Sequence, residues 1–473
     1  MSAAQRGSGP SGYSGEPGGA EHLRREAEAA ARSAADEVYA AILERAPEND
    51  IEPSLDRVRE VCELLGDPQH AFRTVHITGT NGKTSTARMV ERLLREHGLR
   101  TGRFTSPHLT RVTERITVDG EPISDERFVE VWQDVAPYVH MVDTRSLERG
   151  GPRLSFFEVF TVMAFAAFAD APVEVAVVEV GLGGTWDATN VVDGEVAVIT
   201  TVAHDHERYL GDTLVEIASE KSGIIKDGAT AVLAAQDEDV EGVLLQAAAE
   251  RGARVLREGV DIEVVDRQVA VGGQLLTLRG TGAVYQDVFL PMYGEHQAHN
   301  ALLALVAVES LLTGGAALGG EVVEAAFADM SSPGRLEVVR TSPTILVDAA
   351  HNPAGVAALV SAVEEAFEFT RLVGVVGVMA DKDPEGILAG LEPLLAEVVV
   401  TRAASARALD VPDLAEVAVD VFGEDRVHVA ERLDDAIALA SNRAESEAQY
   451  GAGVLITGSV VLVAQARTLL GRA

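Results

Sequence analysis

Apolar runs and stretches of helical periodicity alternate along the first half of the chain. Residues 71–77 are predicted to form a short buried strand, and residues 84–97 repeat apolar positions at helical spacing. Residues 173–179 and 196–202 are continuous apolar runs, which are typical of parallel strands covered on both faces. Residues 213–222 again follow a helical pattern. This order predicts a β/α domain with a parallel sheet.

The pattern changes in the second half. Between residues 260 and 290, short alternating strands separated by glycine-rich turns predict a small β subdomain, and residues 299–312 follow as a helix. The Pro/Gly turn cluster at residues 331–334 predicts a domain boundary. Beyond it a second β/α series is predicted, with strands at 344–348, 371–378, 397–401 and 453–457 and a helix at 354–369. Ligands of such sheets collect at the carboxyl ends of the strands, so we expect a site between the two domains.

The start of the chain differs in character from the two domains. Its first 20 residues are low in complexity, and a helical pattern begins near residue 21 and continues to about residue 46. We expect residues 1–35 to form a disordered tail. The first domain then comprises residues 36–331, and the second comprises residues 332–473.

Composition narrows the class of protein. Hydrophobic residues make up 47% of the chain and charged residues 24%, as in globular proteins. The longest apolar stretch, residues 159–169, is far shorter than the ~20 residues that a membrane span needs, so a buried helix is predicted there. The single cysteine, Cys62, excludes an internal disulfide, and no apolar signal-peptide core lies near the start. A cytoplasmic protein is therefore expected.

Charge indicates which partners to expect. The formal net charge of −35 argues against nucleic acid and anionic membranes as partners. An acidic protein that binds anionic substrates has to concentrate positive charge locally. Only four of the 39 basic residues are lysines, namely Lys83, Lys221, Lys226 and Lys382. A coding bias towards Ala, Gly, Val and Arg explains why lysine is scarce, but it does not explain these four positions.

A phosphate-binding loop is predicted between the run at 71–77 and the helix at 84–97. Its residues are Gly79, Thr80, Asn81, Gly82, Lys83, Thr84 and Ser85. Backbone N–H groups of such a turn point at phosphate oxygens, and the helix N-terminus adds its positive end. Lys83 would contact the β- and γ-phosphates, and a hydroxyl of Thr84 or Ser85 would reach Mg²⁺. The loop is a shortened variant, since Ile77 stands where the usual pattern begins with glycine.

This loop resembles that of the Mur ligase superfamily, and further motifs resemble its folate branch, the dihydrofolate synthases and folylpolyglutamate synthases. The resemblance extends from about residue 55 to about residue 460, and all four lysines fall inside its motifs. The motifs are, in chain order, Thr105-Ser106-Pro107-His108-Leu109, Ser155-Phe156-Phe157-Glu158, the segment 179–190 (EVGLGGTWDATN), Asp205-His206, Glu220-Lys221-Ser222-Gly223, Gly294-Glu295-His296-Gln297, Pro333-Gly334-Arg335, Asp348-Ala349-Ala350-His351-Asn352-Pro353 and Asp381-Lys382-Asp383.

The resemblance implies an ATP-dependent ligase that couples L-glutamate to dihydropteroate, to the glutamate tail of tetrahydrofolates, or to both. A carboxylate resists attack by an amine until one oxygen becomes a good leaving group, and ATP provides this through an acyl phosphate. The fold class implied is α/β: a P-loop ATPase domain with a parallel sheet and a small β subdomain, followed by a Rossmann-like C-terminal domain. A monomer is the default for this architecture.

The resemblance also implies roles for individual residues. Two Mg²⁺ ions would be bound by Thr84, Ser85, Ser106, Glu179 and His206. Lys221 would be carbamylated, which turns a cation into an anion that assists metal binding, and arginine could not replace it because its charge is permanent. Together with Lys83 and His206, it makes up the predicted catalytic set. Simpler roles are also possible for two of these residues. Glu179 could be a solvated carboxylate at the end of a strand, and Lys221 could face phosphate or lie on the surface of a helix.

Two binding regions complete the implied site. Beyond the loop, the ATP contacts would be Asn300, Arg335, Asp348 and His351. The pterin-bearing substrate would be bound by Ser155, Phe156, Phe157, Glu158, Trp186, Asp187 and Ala188. Aromatic residues at such spacings also occur in cores. Asn352 lies beside His351, and its alternative role is to cap a helix. The glutamate site is expected at strand ends of the second domain, near His351 and Ser459.

Two other functions compete with this interpretation. A Mur ligase acting on a nucleotide-linked cell-wall precursor shares the fold and chemistry, but the motifs at 105–109 and 155–158 and the short segment before the ATPase core disfavour it. A P-loop nucleotide switch without ligase activity has no need for the second metal site that Glu179, His206 and Lys221 suggest. The number of glutamates added and the preferred folate form remain open at this stage.

Overall fold

An eight-stranded sheet organises the first part of the chain in the computed structural model, which describes residues 17–47, 52–447 and 450–472. The sheet order is β4-β3-β2-β5-β1-β6-β7-β8, and every neighbouring pair is parallel except β2–β3 and β3–β4. The strands are β1 (Arg73–Thr78), β2 (Thr101–Phe104), β3 (Ile116–Val118), β4 (Glu121–Pro122), β5 (Val175–Glu179), β6 (Gly194–Ile199), β7 (Thr230–Leu233) and β8 (Arg254–Arg257).

Helices cover both faces of this sheet, which explains the continuous apolar runs of its central strands. Along β5, Val175 and Val177 belong to the core on the side of the third helix, whereas Ala176 and Val178 belong to the core on the side of the fifth. The helices are α1 (Pro17–Leu43), α2 (Asp56–Leu64), α3 (Lys83–Glu96), α4 (Asp125–Glu148), α5 (Phe156–Asp170), α6 (Glu207–Leu210), α7 (Leu214–Ser222) and α8 (Glu238–Glu250).

A three-stranded antiparallel sheet follows, in the order β11-β10-β9. Its strands are β9 (Glu263–Ala270), β10 (Gly273–Arg279) and β11 (Val284–Leu290), and two helices come after them, α9 (Glu295–Thr313) and α10 (Gly320–Ala328). The small β subdomain is thus confirmed. The helix predicted from residue 299 begins about one turn earlier, at Glu295. Its N-cap is Gly294, which has a φ of +91°.

The last part of the chain forms a six-stranded sheet in the order β12-β13-β17-β14-β15-β16, antiparallel only between β12 and β13. Its strands are β12 (Glu337–Thr341), β13 (Thr344–Val347), β14 (Arg371–Val376), β15 (Glu397–Val400), β16 (Val427–Val429) and β17 (Ala452–Thr457). Its helices are α11 (Pro353–Ala366), α12 (Pro384–Leu391), α13 (Val411–Phe422), α14 (Leu433–Glu447) and α15 (Val460–Leu469). Apolar cores on both faces again account for the predicted strands.

The prediction of a disordered tail is wrong from Pro17 onward, where α1 begins. Alanine-rich sequence favours a helix, and α1 also buries Ala35 and Ile42 in the core shared with α4 and α5. The part of the predicted tail at residues 1–16 lies outside the described residues. The helix predicted at 159–169 is confirmed as the buried α5, and no described helix combines the length and apolarity that crossing a membrane requires.

A buried ion pair joins the end of α1 to the segment that leads into α5. Arg45 contacts Asp143 of α4 at 2.8 Å, and its side chain also donates to the Leu154 carbonyl at 3.0 Å. Asp143 accepts the Leu154 N–H at 2.7 Å. Arg45 and Asp143 expose only 6% and 7% of their side chains. The pair therefore positions the start of α5, which borders the site described below.

Replacing Asp143 with alanine leaves the Arg45 guanidinium buried without its counter-charge. We expect Asp143→Ala to lower the free energy of unfolding by about 3–5 kcal/mol, measured by urea denaturation. Asp134→Ala is the matched control, because Asp134 is an exposed aspartate on the same helix. It should change stability by less than about 0.5 kcal/mol. Equal effects of the two substitutions would contradict a structural role for the pair.

Candidate active site

The carboxyl ends of both large sheets face one cleft of about 1680 Å³. It is lined by the loop between β1 and α3, by the ends of β5 and β6, and by the loops that follow β13, β14 and β15. Every site residue predicted from the sequence lines this cleft except Phe156. The expectation that ligand-binding residues collect between two sheets therefore agrees with the observed geometry.

The β1–α3 loop is built on two glycines with positive φ, Gly79 at +145° and Gly82 at +89°. A Cβ at Gly79 would lie 1.8 Å from the Thr200 hydroxyl oxygen, so no other residue fits there. The Gly79 carbonyl accepts hydrogen bonds from two ammonium groups, Lys83 at 3.0 Å and Lys221 at 2.9 Å. The loop thus brings two lysines from distant parts of the chain to one oxygen.

Burial makes both ammonium groups easier to deprotonate. Burial lowers the pKa of Lys83, although the Glu179 carboxylate opposes the shift. Burial, with repulsion from Lys83, lowers the pKa of Lys221 to about 7. Lys221 consequently has an accessible neutral form near neutral pH, which an exposed lysine lacks.

Glu179, at the end of β5, is buried beside the loop. One of its carboxylate oxygens accepts from the Thr84 hydroxyl at 2.9 Å, and the other, Oε2, is buried without a hydrogen-bond partner among the described residues. Burial raises the pKa of this carboxyl, while the nearby Lys83 works against the shift. An unpartnered buried carboxylate oxygen facing a phosphate loop suits a hard cation.

His206 follows β6 and has a left-handed backbone, with φ of +55°. Burial lowers its pKa to about 4, so its imidazole is neutral at pH 7. The Lys382 ammonium lies 3.3 Å from His206 Nε2. This nitrogen therefore contacts a lysine in the present arrangement, and it could bind a metal only if Lys382 moved away.

No group of three or more His, Cys, Asp or Glu side chains in the described residues is arranged to hold a metal ion. Mg²⁺ commonly uses one or two carboxylates and completes its shell with water and substrate phosphates. Glu179 and the Thr84 hydroxyl bonded to it fit such a site, in which a nucleotide would supply further oxygens. Ser85 and Ser106 also line the cleft. Ser85 at present bonds the Ser332 hydroxyl at 3.2 Å.

The second sheet contributes Asp348, His351 and Arg335 to the cleft. Asp348 is buried at the end of β13, and its carboxylate accepts from the backbone N–H groups of Leu336 at 2.7 Å and Ala350 at 2.8 Å. Arg335 has no hydrogen bond or ion pair from its guanidinium among the described residues. A free guanidinium beside a phosphate loop can neutralise anionic oxygens.

Aromatic and acidic side chains form the far end of the cleft. Phe157 lies on the lining and packs against Phe104, with ring centroids 5.6 Å apart. Phe156 instead packs into the core, 4.7 Å from the Phe160 ring and beneath the Arg115 guanidinium. The prediction that Phe156 contacts substrate therefore disagrees with its position, because successive residues of a helix point in different directions.

The two acidic residues predicted to bind substrate in this region, Glu158 and Asp187, interact instead with groups of the protein itself. Glu158 completes a capping box with Ser155 and pairs with Arg57 at 3.1 Å. Asp187 accepts from the Leu182 N–H at 2.8 Å and from both the N–H and the hydroxyl of Thr189. Burial raises the pKa of Asp187 to about 6.

Sequence reasoning assigned no role to Asp205 and Lys382, although both stand in quoted motifs. Their side chains meet at 2.7 Å across the cleft. The scarcity of lysine in the sequence indicated that Lys382 is important, but it did not indicate which residue Lys382 contacts. Helix capping was the alternative role considered for Asn352. It does cap α11 by accepting from the Gly355 N–H at 2.8 Å, but it also contacts Asn81 and Asp205.

Comparisons with known proteins agree with this geometry. The Mur ligase middle domain family matches residues 136–308, and the Mur ligase glutamate ligase domain family matches residues 334–460. A dihydrofolate synthase/folylpolyglutamate synthase of Mycobacterium tuberculosis is 50% identical over 449 residues, covering 91% of this chain and 92% of the relative. Its namesake from Bacillus subtilis is 33% identical and covers 89% and 95%.

Solved structures give the same result. Folylpolyglutamate synthase of M. tuberculosis, complexed with ADP and AMPPCP, matches with a TM-score of 0.89 and 49% identity, covering 94% of this chain and 99% of that one. Escherichia coli FolC, in complex with DHPP and ADP, matches with a TM-score of 0.77 and 28% identity, covering 89% and 94%. The chain therefore belongs to the dihydrofolate synthase/folylpolyglutamate synthase family of ATP-dependent ligases with the Mur ligase fold.

Proposed function

We propose that this protein uses ATP to ligate L-glutamate to dihydropteroate, to the glutamate tail of reduced folates, or to both. The observation that carries the proposal is the single cleft, in which a phosphate loop with two converging lysines lies between an aromatic end and the strand ends of a second sheet. The relatives with ADP, AMPPCP and DHPP support a nucleotide and a pterin-bearing acceptor in this cleft.

The reaction has two chemical steps. The acceptor carboxylate attacks the γ-phosphorus of ATP, and the bond to ADP breaks to give an acyl phosphate. The amine of glutamate then attacks the acyl carbon, phosphate leaves and the amine loses a proton. In the first step negative charge develops on the departing ADP, and in the second it develops on the carbonyl oxygen under attack and then on the departing phosphate. Catalysis therefore depends on positioned cations. Lys83 and Arg335, which line the cleft, would supply them.

Mg²⁺ bound near Glu179 would neutralise phosphate oxygens and orient them for in-line transfer. Its proposed ligands are Thr84, Ser85, Ser106 and Glu179, with His206 joining only after release from Lys382. We place ATP against residues 79–85 and Asn300, whose side chain leaves no space for a Cβ at Gly82. The ribose and base of ATP would lie towards Asp348 and His351.

The acceptor ring would lie at the aromatic end, against Phe157, Trp186 and Ala188. Free glutamate would bind at the strand ends of the second sheet, near His351 and Ser459, opposite the acyl phosphate. We propose a monomer, which is the default for this architecture.

The proposed function predicts ADP release that depends on the acceptor. With ATP, Mg²⁺ and L-glutamate, we expect ADP to form only when dihydropteroate or a tetrahydrofolate is also present, in a coupled spectrophotometric assay. Comparing the two acceptors ranks the two synthase activities. ADP release that is the same with and without either acceptor would overturn the proposed function.

The carbamylated form of Lys221 is a second proposal, supported by its buried and partly neutral amine. Carbamylation joins the neutral amine to CO₂ and releases one proton. It is therefore favoured as the pH rises through about 7, where the ammonium form is lost. Lys221→Arg removes the reactive amine and keeps the charge, so we expect activity to fall at least about 10²-fold while the fold persists.

Lys226→Arg is the matched control, because Lys226 lies on the segment after the same helix and donates to the Asn190 carbonyl, as an arginine also can. It should keep most of the activity. Isotopically labelled bicarbonate should give a carbamate NMR signal in the wild type and in Lys226→Arg, and no such signal in Lys221→Arg. Full activity of Lys221→Arg, or a carbamate signal that survives the change, would contradict the proposal.

A further inference from the structure

Asp205 is one of the residues that join the two large sheets beside the phosphate loop. It follows β6 of the first sheet, yet its carboxylate meets three side chains from the second. The Lys382 ammonium lies 2.7 Å away, the Asn352 amide donates at 3.1 Å, and His351 Nε2 is at 3.7 Å. Side-chain exposure is 10% for Asp205 and 8% for Lys382, so this is a buried ion pair.

Asn352 extends the same junction to the phosphate loop. Its side chain exchanges two hydrogen bonds with the Asn81 amide, each of 3.2 Å. The Thr200 hydroxyl in turn donates to the main-chain carbonyl of Asn81 at 2.7 Å. Asp205 and Asn81 therefore both bind one residue, which also caps α11. The phosphate loop and the start of α11 are held in fixed relation by this junction.

The charges around Lys382 show why it needs a counter-ion. The cleft also contains Lys83, Lys221 and Arg335, and repulsion from Lys382 acts on Lys83. A buried ammonium among other cations has a high electrostatic energy unless an anion lies against it. Glu179 bonds Thr84 and lies by Lys83, whereas Asp205 contacts Lys382 directly.

We propose that Asp205 is a positioning residue of the ligase: it holds the Lys382 ammonium, and with it the second sheet, against the phosphate loop. Lys382 is thereby placed to stabilise the phosphoryl group during its transfer, while Asp205 itself need not contact substrate. This inference rests on the proposed function. It predicts that Asp205 acts through Lys382, which a merely structural aspartate or a direct metal ligand would not do.

The test is a double-mutant cycle with Asp205→Asn, Lys382→Met and their combination. Each single variant should lower kcat by about 10²-fold, the expected loss when one member of a buried charge pair is removed. The nucleotide Kd of Asp205→Asn should stay within about threefold of the wild type. The double variant should be no more than about threefold slower than the slower single variant, because the two residues act as a unit.

Asp212→Asn is the matched control, since Asp212 is an exposed aspartate a few residues further along the same connection. It should leave kcat unchanged. Losses that multiply in the double variant would overturn the inference. So would an Asp205→Asn enzyme whose kcat is restored by raising Mg²⁺, since that result would identify a metal ligand. If Asp205→Asn does not fold, Asp205→Glu takes its place in the cycle, with the same expected loss of kcat.

Small-angle scattering without nucleotide provides a readout that does not depend on turnover. Asp205→Asn and Lys382→Met should both have a larger radius of gyration than the wild type and Asp212→Asn, because the sheets lose their charged contact. An unchanged radius in both variants would count against the inference. If the wild type releases no ADP with either acceptor, the proposed function fails, and scattering alone then decides the role of Asp205.

Discussion

Two lysine side chains share one carbonyl oxygen, that of Gly79, and the rest of the site depends on this contact. It holds two ammonium groups close together inside the protein, where burial lowers the pKa of both lysines and repulsion from Lys83 lowers that of Lys221 further. It also requires the loop to pass so close to Thr200 that only glycine fits at position 79. A constraint on backbone space thus sets the chemistry of the cleft.

Four cations have to gather in one cleft of a chain whose net charge is −35. The first sheet supplies Lys83 and Lys221, and the segments of the second supply Arg335 and Lys382, so neither half alone gathers the full positive charge. The buried carboxylates Glu179, Asp187, Asp205 and Asp348 lie among these cations. A bound nucleotide would add negative charge between cations that come from both parts of the chain, so its binding and the contact between the two parts are electrostatically related.

Much of this arrangement could be predicted from the sequence, because strand-ending motifs of parallel sheets meet at one edge. Glu179 and the 79–85 loop end neighbouring strands, and their proximity follows from the β1–β5 pairing. Contacts between the halves could not be predicted, since Asp205 and Lys382 are 177 residues apart. The start of the chain was predicted only in part: the sequence indicated a helical pattern from residue 21, but the packing of α1 against α4 depends on tertiary contacts. Phe156 and Phe157 are adjacent in the sequence, but Phe156 packs into the core and Phe157 lines the cleft. This difference depends on how the helix is oriented, which the sequence does not show.

The aromatic end of the cleft differs in kind from the phosphate end. There the acidic side chains are occupied: Glu158 by Arg57 and its own helix, and Asp187 by the Leu182 and Thr189 groups. Because Thr189 gives its hydroxyl proton to Asp187, its oxygen must accept from His76 Nε2, which lies 2.9 Å away inside β1. The 182–189 loop is thus hydrogen-bonded to the strand that carries the phosphate loop. A substrate ring would meet preorganised surfaces rather than free charges, and shape and stacking would decide its orientation.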